Sequence, residues 1–597
     1  MTIMSAIASG FVHPTVGFYA LALVLPFLPG KAWKWLLLIP PVVAIWSVMT
    51  IEPGLYAQAS WLGQTLLLGR VDKLSLIFAQ VFAVMSLIGM VYALHVDDKL
   101  QHIMACVYVG GAFGCTFAGD FLSLFVFWEL MSIGSTFLIW LARNERSTKA
   151  GFRYFLYHTI GGLFLLIGLL LRYKAVGNFE FDHVIPAQMQ VYDWMILLGF
   201  CVNAAVVPLH AWLPDAYPEG TVTGSVFMCA FTTKTAVYVL LRGFHGVEAL
   251  AIAGTVMCVY GVLYACIENN ARRILSYHIV SQVGYMVAGI GIGTAMTMNG
   301  AVAHAYAHIL YKGLLFMGTG CLLYAAGTTK LNELGGLVHR LPWVMVLYMV
   351  AALSISGMPL FNGFISKTMT ITGAAEAHRT WLAIGMEVAA VGTFLSVGIK
   401  LPYFAFWAKP ANNTMVLKPI PVNMYIGMAM GAVLCIAQGL YPDMLYRYLP
   451  FEMEEMYHPW TTWHVLQALL LLGFSGLAFY ITREIITPHA KTNLDFDFFY
   501  RLIGRGALAL VSKPLAWIDD RWTEAYRAVG LRGLLTLARG TVWFDTKGID
   551  TVVDGSAYTV QNVGVLSAKA QSGRLQEYLG LAAALGIGIF ALVWYLA

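Results

Sequence analysis

The chain has 597 residues, of which 59% are hydrophobic and only 11% charged, with a net charge of +5 and a mean hydropathy of +0.72. Soluble domains average about 25% charged residues, so this composition excludes a soluble globular fold and places the bulk of the chain in lipid. The eight cysteines stand singly with no C-x-x-C pair, and neither a Walker loop nor G-x-G-x-x-G after a strand occurs, which argues against an iron–sulfur, zinc or nucleotide site of its own.

A helix needs about 20 apolar residues to cross a bilayer, and about fifteen or sixteen segments meet that length. Open strand edges find no partner in hydrocarbon, so the expected fold class is an all-α polytopic membrane protein. The positive charge is spread over loops, as membrane orientation requires and nucleic-acid binding does not. The N-terminal M-T-I-M-S-A-I-A-S-G lacks a basic region and a cleavage site and reads as uncleaved.

Segments near 15–29, 33–51 and 75–95 are apolar and almost free of internal charge, which fits packing and lipid contact. A fourth, near 103–119, ends at Asp120; in the next, F-L-S-L-F-V-F-W-E-L-M-S, Glu129 lies about two turns inside. That carboxylate is either bonded structurally to a neighbouring helix or tuned by desolvation against a nearby cation. The loop Arg143 to Lys149, with Arg153 beyond it, is the clearest basic patch between spans and is cytoplasmic by the positive-inside rule. His158 in the following span reads equally as a packing histidine or a titratable one.

The stretch Asn203 to Tyr238 organises the rest. An apolar segment is interrupted at Pro208, leaves the membrane through His210, Trp212, Pro214 and Asp215, and restarts with Lys234 well inside its length. A mid-span proline frees a backbone carbonyl, which lipid tolerates only beside protein or a water-filled cavity. A lysine at the centre of a span costs about 2.5–3.5 kcal/mol on insertion scales and by default marks an ion pathway.

A span near 249–267 ends at Glu268, and Arg272 and Arg273 form a second short basic loop, again expected on the cytoplasmic side. His278, Ser281 and Gln282 open the next span. In A-V-A-H-A-Y-A-H-I-L-Y-K, His304, His308 and Lys312 recur every fourth residue and share one helix face. They step along the axis by about 6 Å each, a spacing that bridging waters span, and imidazole accepts and releases protons near neutrality.

A second interruption runs from Ser354 to Lys367, with Gly357, Pro359 and Gly363 before the lysine. Two Gly/Pro-broken spans in separate parts of a chain point to inverted repeats, placed here near 101–245 and 246–410. Lys400, followed by Pro402, either joins the pathway or snorkels from a segment end. Spans near 422–441 and 462–482 follow, so residues 1–100 and 411–485 are expected to flank the repeats with further helices. Residues 486–576 mix Asp495, Asp497, Arg501 and Arg527 with Leu, Trp and Phe, too polar to span and too apolar to be disordered. They read as an amphipathic helix lying along a membrane or a partner, anchored by a last span at 577–597.

The motifs H-A-W-L-P-D-A, F-T-T-K-T-A-V-Y, F-W-E-L-M-S, A-R-R-I-L-S-Y-H-I-V-S-Q-V-G-Y-M, H-x-x-x-H-x-x-x-K and N-G-F-I-S-K resemble those of the antiporter-like subunits of respiratory complex I, membrane-bound hydrogenases and Mrp-type cation/proton antiporters, and they occur at family spacing. L-D-F-D-F-F-Y-R and S-G-R-L-Q-E-Y resemble the end of the largest such complex I subunit, with its lateral helix. The resemblance implies a fourteen-helix core with two inverted five-helix repeats, two broken helices, a lateral helix and a final anchor. It matches Glu129 to the family glutamate, Lys234 to the central lysine, His304, His308 and Lys312 to the linking row, and Lys367 to the lysine of the second break. One position departs: the family lysine five residues before the proline is Asn203 here, which cannot titrate. Either Glu129 then pairs with Lys234, or the first half-channel is blocked or reshaped.

The expectation is a subunit translocating H⁺, or exchanging Na⁺ for H⁺, along Glu129, Lys234, His304, His308, Lys312 and Lys367, with Lys400 as a further candidate. It belongs to a complex I-like or hydrogenase-like redox-driven pump, or alternatively to an Mrp-type antiporter. Expected partners are other integral membrane subunits, reached partly through 486–597, and lipid, in a prokaryotic inner membrane. No cofactor, metal, nucleic acid or catalytic site of its own is expected.

Overall fold

The computed structural model describes residues 12–61, 63–409, 415–489, 493–569 and 573–597. The N-terminal decapeptide read as uncleaved lies outside the described residues. The chain divides into two units, one reaching to Asp497 and one spanning Phe498–Ala597.

In the first unit, α1 (Pro14–Val24) and α2 (Trp33–Thr50) precede α3 (Lys73–Ala93), α4 (Lys99–Phe117), α5 (Phe121–Trp140), α6 (Glu145–Val176) and α7 (Val191–Asn203). After the first break come α8 (Gly224–Gly243), α9 (Glu248–Ile267), α10 (Ala271–Ile292), α11 (Ala295–Ala326) and α12 (Pro342–Ile355). The second break leads into α13 (Asn362–Glu376), α14 (Thr380–Trp407), α15 (Val422–Leu440) and α16 (Thr462–Thr482). Among the described residues of the whole chain, twelve helices are long and apolar enough to cross a membrane, and three shorter apolar helices accompany them.

An antiparallel hairpin, β1 (Gly54–Trp61) and β2 (Gln64–Val71), departs from the all-helical expectation. It occupies the connection between α2 and α3, where the mixed-polarity alternation of Q-T-L-L-L-G-R-V reads as a loop in a search for helical spans. The hairpin is tied down: Asp120 Oδ2 accepts from the Leu67 amide at 2.7 Å and Gly119 N donates to Leu67 O at 2.8 Å.

A register of 150 residues links two stretches of the fold. Asp120 and Asn270 each cap the helix that follows, and each forms an isolated antiparallel bridge, to Glu180 and Lys330 respectively. α6 and α11 are both 32 residues long and both end on a glycine in the left-handed conformation, Gly177 (φ 86°) and Gly327 (φ 75°). α9 and α10 pack with their backbones in close approach: a Cβ on Gly261 would come within 2.6 Å of Ser281 N, and one on Gly284 within 2.7 Å of Cys258 N. With no hydrophobic driving force between helices in lipid, such small-residue contacts carry the packing.

From Phe498 the second unit takes up a helical run, α17 (496–569), with π-type turns at Tyr526–Leu531 and Asp545–Ile549, followed by α18 (Leu575–Leu596). At 1.5 Å per residue α17 extends roughly 110 Å. Apolar side chains on it such as Leu502, Trp517, Trp522 and Val560 are exposed.

A buried polar row between two broken helices

The first break spans the residues between α7 and α8. Trp212 sits on a one-turn helix, Trp212–Ala216, and donates from Nε1 to Val202 O at 2.9 Å, pinning the loop back on the end of α7. Asp215 receives a two-pronged bond from Arg153, 2.6 and 2.9 Å long. Arg272 is fully buried and donates to Gly220 O at 3.1 Å and to Ser225 Oγ. An arginine expected on a basic loop therefore fastens the segment between the break and α8. At the end of α7, Asn203 is completely buried and neither of its amide atoms has a protein partner.

Lys234 stands one turn beyond a discontinuity in α8 at Phe231. Its ammonium donates to Cys229 O at 2.8 Å and to Thr233 Oγ1 at 3.0 Å, so it occupies the carbonyl end exposed by the interruption. Glu129 is not at that site. It is half-buried, its Oε1 has no hydrogen-bond partner, and a Cβ on Gly162 of α6 would overlap that oxygen. His158, on the same helix face as Gly162, is stacked on Tyr154 at 3.9 Å and meets Trp212 edge-on at 4.6 Å, with Nδ1 2.9 Å from Tyr154 O.

His304, His308 and Lys312 are all fully buried on α11. His304 Nδ1 lies 2.9 Å from Ser366 Oγ, and its Nε2 lies 3.4 Å from Tyr311 OH, which itself bonds Gln282 Oε1 at 3.3 Å. Both nitrogens of His308 and the ammonium of Lys312 have no protein partner. α11 packs on both α8 and α13, and Lys234 and Lys312 both lie within electrostatic reach of Cys229. The row thus runs between the two breaks.

At the second break, Gly357 (φ 76°) and Leu360 (φ 81°) turn the chain. Gly363 is required because a Cβ there would overlap Ser354 O, where α13 crosses α12. Lys367 donates to Ile355 O at 2.7 Å, the carbonyl that the end of α12 leaves open, and its ammonium lies 5.1 Å from the Tyr285 ring centre. Tyr285 also flanks His304 at 5.5 Å, so one aromatic ring borders both groups.

Lys400 is placed elsewhere. It is buried and donates to Cys266 O and Glu268 O, both at 2.7 Å, at the C-terminus of α9, where a cation complements the open carbonyls. It does not reach out to the interface. Sequence reasoning missed Ser366, Tyr311 and Glu387, and it missed the seat of Asp495. The last accepts from Tyr277 OH at 2.6 Å and from Tyr260 OH, and lies 3.3 Å from His210 Nε2. Glu387 had a signal, a lone carboxylate within an apolar span; Ser366 and Asp495 lacked one because their partners lie on distant segments, and Tyr311 because it reads as one more aromatic of the span.

Residues 118–396 match the family model described as NADH:quinone oxidoreductase/Mrp antiporter, transmembrane. One Na(+)/H(+) antiporter subunit of Alkalihalophilus pseudofirmus is 30% identical over 51% of this chain and 65% of its own length. Hydrogenase-4 component B of Escherichia coli is 27% identical over 62% of each. A chain of respiratory complex I from Thermus thermophilus superposes with a TM-score of 0.66 at 21% identity, over 77% of this chain and 99% of that one. The chain spans 74% and 49% of the length of two further curated relatives. With its motifs, broken helices and buried polar row, the chain is similar over residues 118–396 to the antiporter-like membrane subunits found in Mrp antiporters, complex I and hydrogenases.

Proposed function

We propose that this chain carries protons across a prokaryotic inner membrane as one subunit of a multisubunit, redox-driven complex. The single observation behind this reading is the α11 row, three fully buried ionisable groups that lead from Lys234 toward Ser366 and Lys367. His308 and Lys312 have no protein partner for their polar atoms, and buried polar groups are otherwise almost always bonded to protein or water. Water bridging such groups at about 6 Å steps makes a proton wire. Lys234 and Lys367 both lie within electrostatic reach of Lys312. Like charges repel, so a proton arriving at one lysine favours departure from another.

Residues 101–245 and 246–410 are the two functional halves in this reading, and 486–597 contacts neighbouring subunits. Exchange of Na⁺ for H⁺ in an Mrp-type complex is a second reading, favoured by the likeness to a Na(+)/H(+) antiporter subunit. Proton flux in vesicles bearing the assembled complex tests the shared core of both. His308→Ala and Lys312→Ala should each slow flux by about 10²-fold while leaving the complex intact. Wild-type flux in both would make the row structural.

A further inference from the structure

A cavity of about 270 Å³ lies against Lys367, enclosed by α13, α14, α16 and the Ser356–Gly357 end of the second break. A water occupies roughly 30 Å³ of liquid, so the space admits several. Its lining is polar where chemistry would need it: Lys367, Thr368, Thr372, Glu387, His464 and Gln467. Glu387 is the carboxylate in this lining, and its Oε1 accepts from Gln467 Nε2 at 2.7 Å. Thr372 Oγ1 lies 3.4 Å from both His464 Nε2 and Tyr457 OH, so a second polar group of side chains stands on the same cavity. Glu387 and Lys367 are within electrostatic reach of each other. The other titratable groups around the pair are Tyr285 and His278 from α10, Cys258 from α9, His304, His308 and Lys312 from α11, and His464 from α16.

We propose that Glu387 is the carboxylate through which Lys367 exchanges its proton with the water of this cavity. This rests on the relay proposed above and adds the step by which the relay meets water. The Lys367 ammonium gives its proton through cavity water to the Glu387 carboxylate, leaving a neutral amine and a neutral acid. The acid then releases the proton to the cavity water and returns to the anion. One proton has left, and the amine accepts the next from the His304 end. The geometry suits this order, because the Lys367 ammonium is held on Ile355 O beside the cavity while Gln467 fixes one oxygen of the carboxylate. Thr368 and Thr372 supply hydroxyls along the same wall.

The test uses the full complex in sealed vesicles. Thr368→Cys, with Glu387 intact, should react with a membrane-impermeant cationic thiosulfonate added from one side only, and the modification should block flux. Reaction with a lipid-soluble maleimide but not with the impermeant reagent would make the cavity a lipid crevice and overturn the proposal. Glu387→Gln should slow flux by about 10²-fold, and Glu387→Asp should recover much of it with the wild-type pH profile. Wild-type flux in Glu387→Gln, with Lys367→Ala inactive, overturns the exchange role while leaving the relay standing. Wild-type flux in Lys367→Ala and His308→Ala would instead remove the relay itself, whatever the labelling shows.

Discussion

Asp495→Asn is the sharpest test of how the stretch leading into α17 is seated. The carboxylate is buried, and burial alone would raise its proton affinity. Hydrogen bonding and charge from His210, with the Tyr260 and Tyr277 hydroxyls, outweigh burial and hold it at about 2 against an ordinary 3.8. That gap corresponds to about 2.5 kcal/mol favouring the ionised, docked form. Because the folded value is depressed, the contribution is complete above pH 3.8 and disappears as pH falls through about 2. The titration of the carboxylate itself therefore leaves docking unchanged above about pH 5. Asparagine keeps the shape but removes the charge, so opening of the segment should become about 60-fold more frequent. Hydrogen exchange on the solubilised complex reads this directly, in peptides covering 205–215 and 483–497. Tyr277→Phe, losing one hydroxyl, should give a smaller loosening of about 1 kcal/mol. Unchanged exchange in Asp495→Asn across those peptides would refute the reasoning.

Further outcomes follow from the same contacts. Gly162→Ala should displace the Glu129 side chain without unfolding the core, since the overlap is with the far end of a flexible side chain; a flux change matching that of Glu129→Gln would tie the effect to this group. Gly363→Ala meets backbone rather than side chain, so it should destabilise the second break strongly, with loss of assembled complex on gel filtration as the readout. Asn203→Lys introduces a cation at a fully buried position with no acceptor bonded to it, and impaired flux is expected; unimpaired flux would show that the first break tolerates the family residue. Deletion of 486–597 should leave a membrane-inserted core that purifies without its partners, and co-purification of the full assembly would refute the contact role.

What was legible in the sequence was whatever repeats locally. The i, i+4, i+8 spacing of His304, His308 and Lys312 fixes a shared face before any fold is known, and Pro208 and Pro359 announce breaks because proline frees carbonyls in place. What stayed hidden depends on distant partners. Glu387 and Gln467 meet although 80 residues apart, and each looks like an isolated polar residue in an apolar span. Lys400 near Pro402 resembles a snorkelling lysine, and only the fold brings the Cys266 and Glu268 carbonyls to it. The interruption at Phe231 has no proline or glycine to mark it, yet it exposes the carbonyl that Lys234 occupies.

The 150-residue register sets α6 beside α11 position by position, and the two helices differ where protons would pass in the proposed relay. His158 stands on α6 where His308 stands on α11, and Gly162 stands where Lys312 does. α6 thus has the same histidine, but a glycine replaces the ammonium, and the carboxylate of Glu129 comes up against the vacated Cβ position. His158 is held on both faces by Tyr154 and Trp212 and through Nδ1 by a carbonyl, whereas neither nitrogen of His308 is bonded to protein. A packed imidazole cannot rotate between donors without moving Trp212, which is itself bonded to the end of the broken helix. In the proposed relay, proton transfer past His158 would therefore require the first break to move, while the row on α11, with a cavity at Lys367, would require only water.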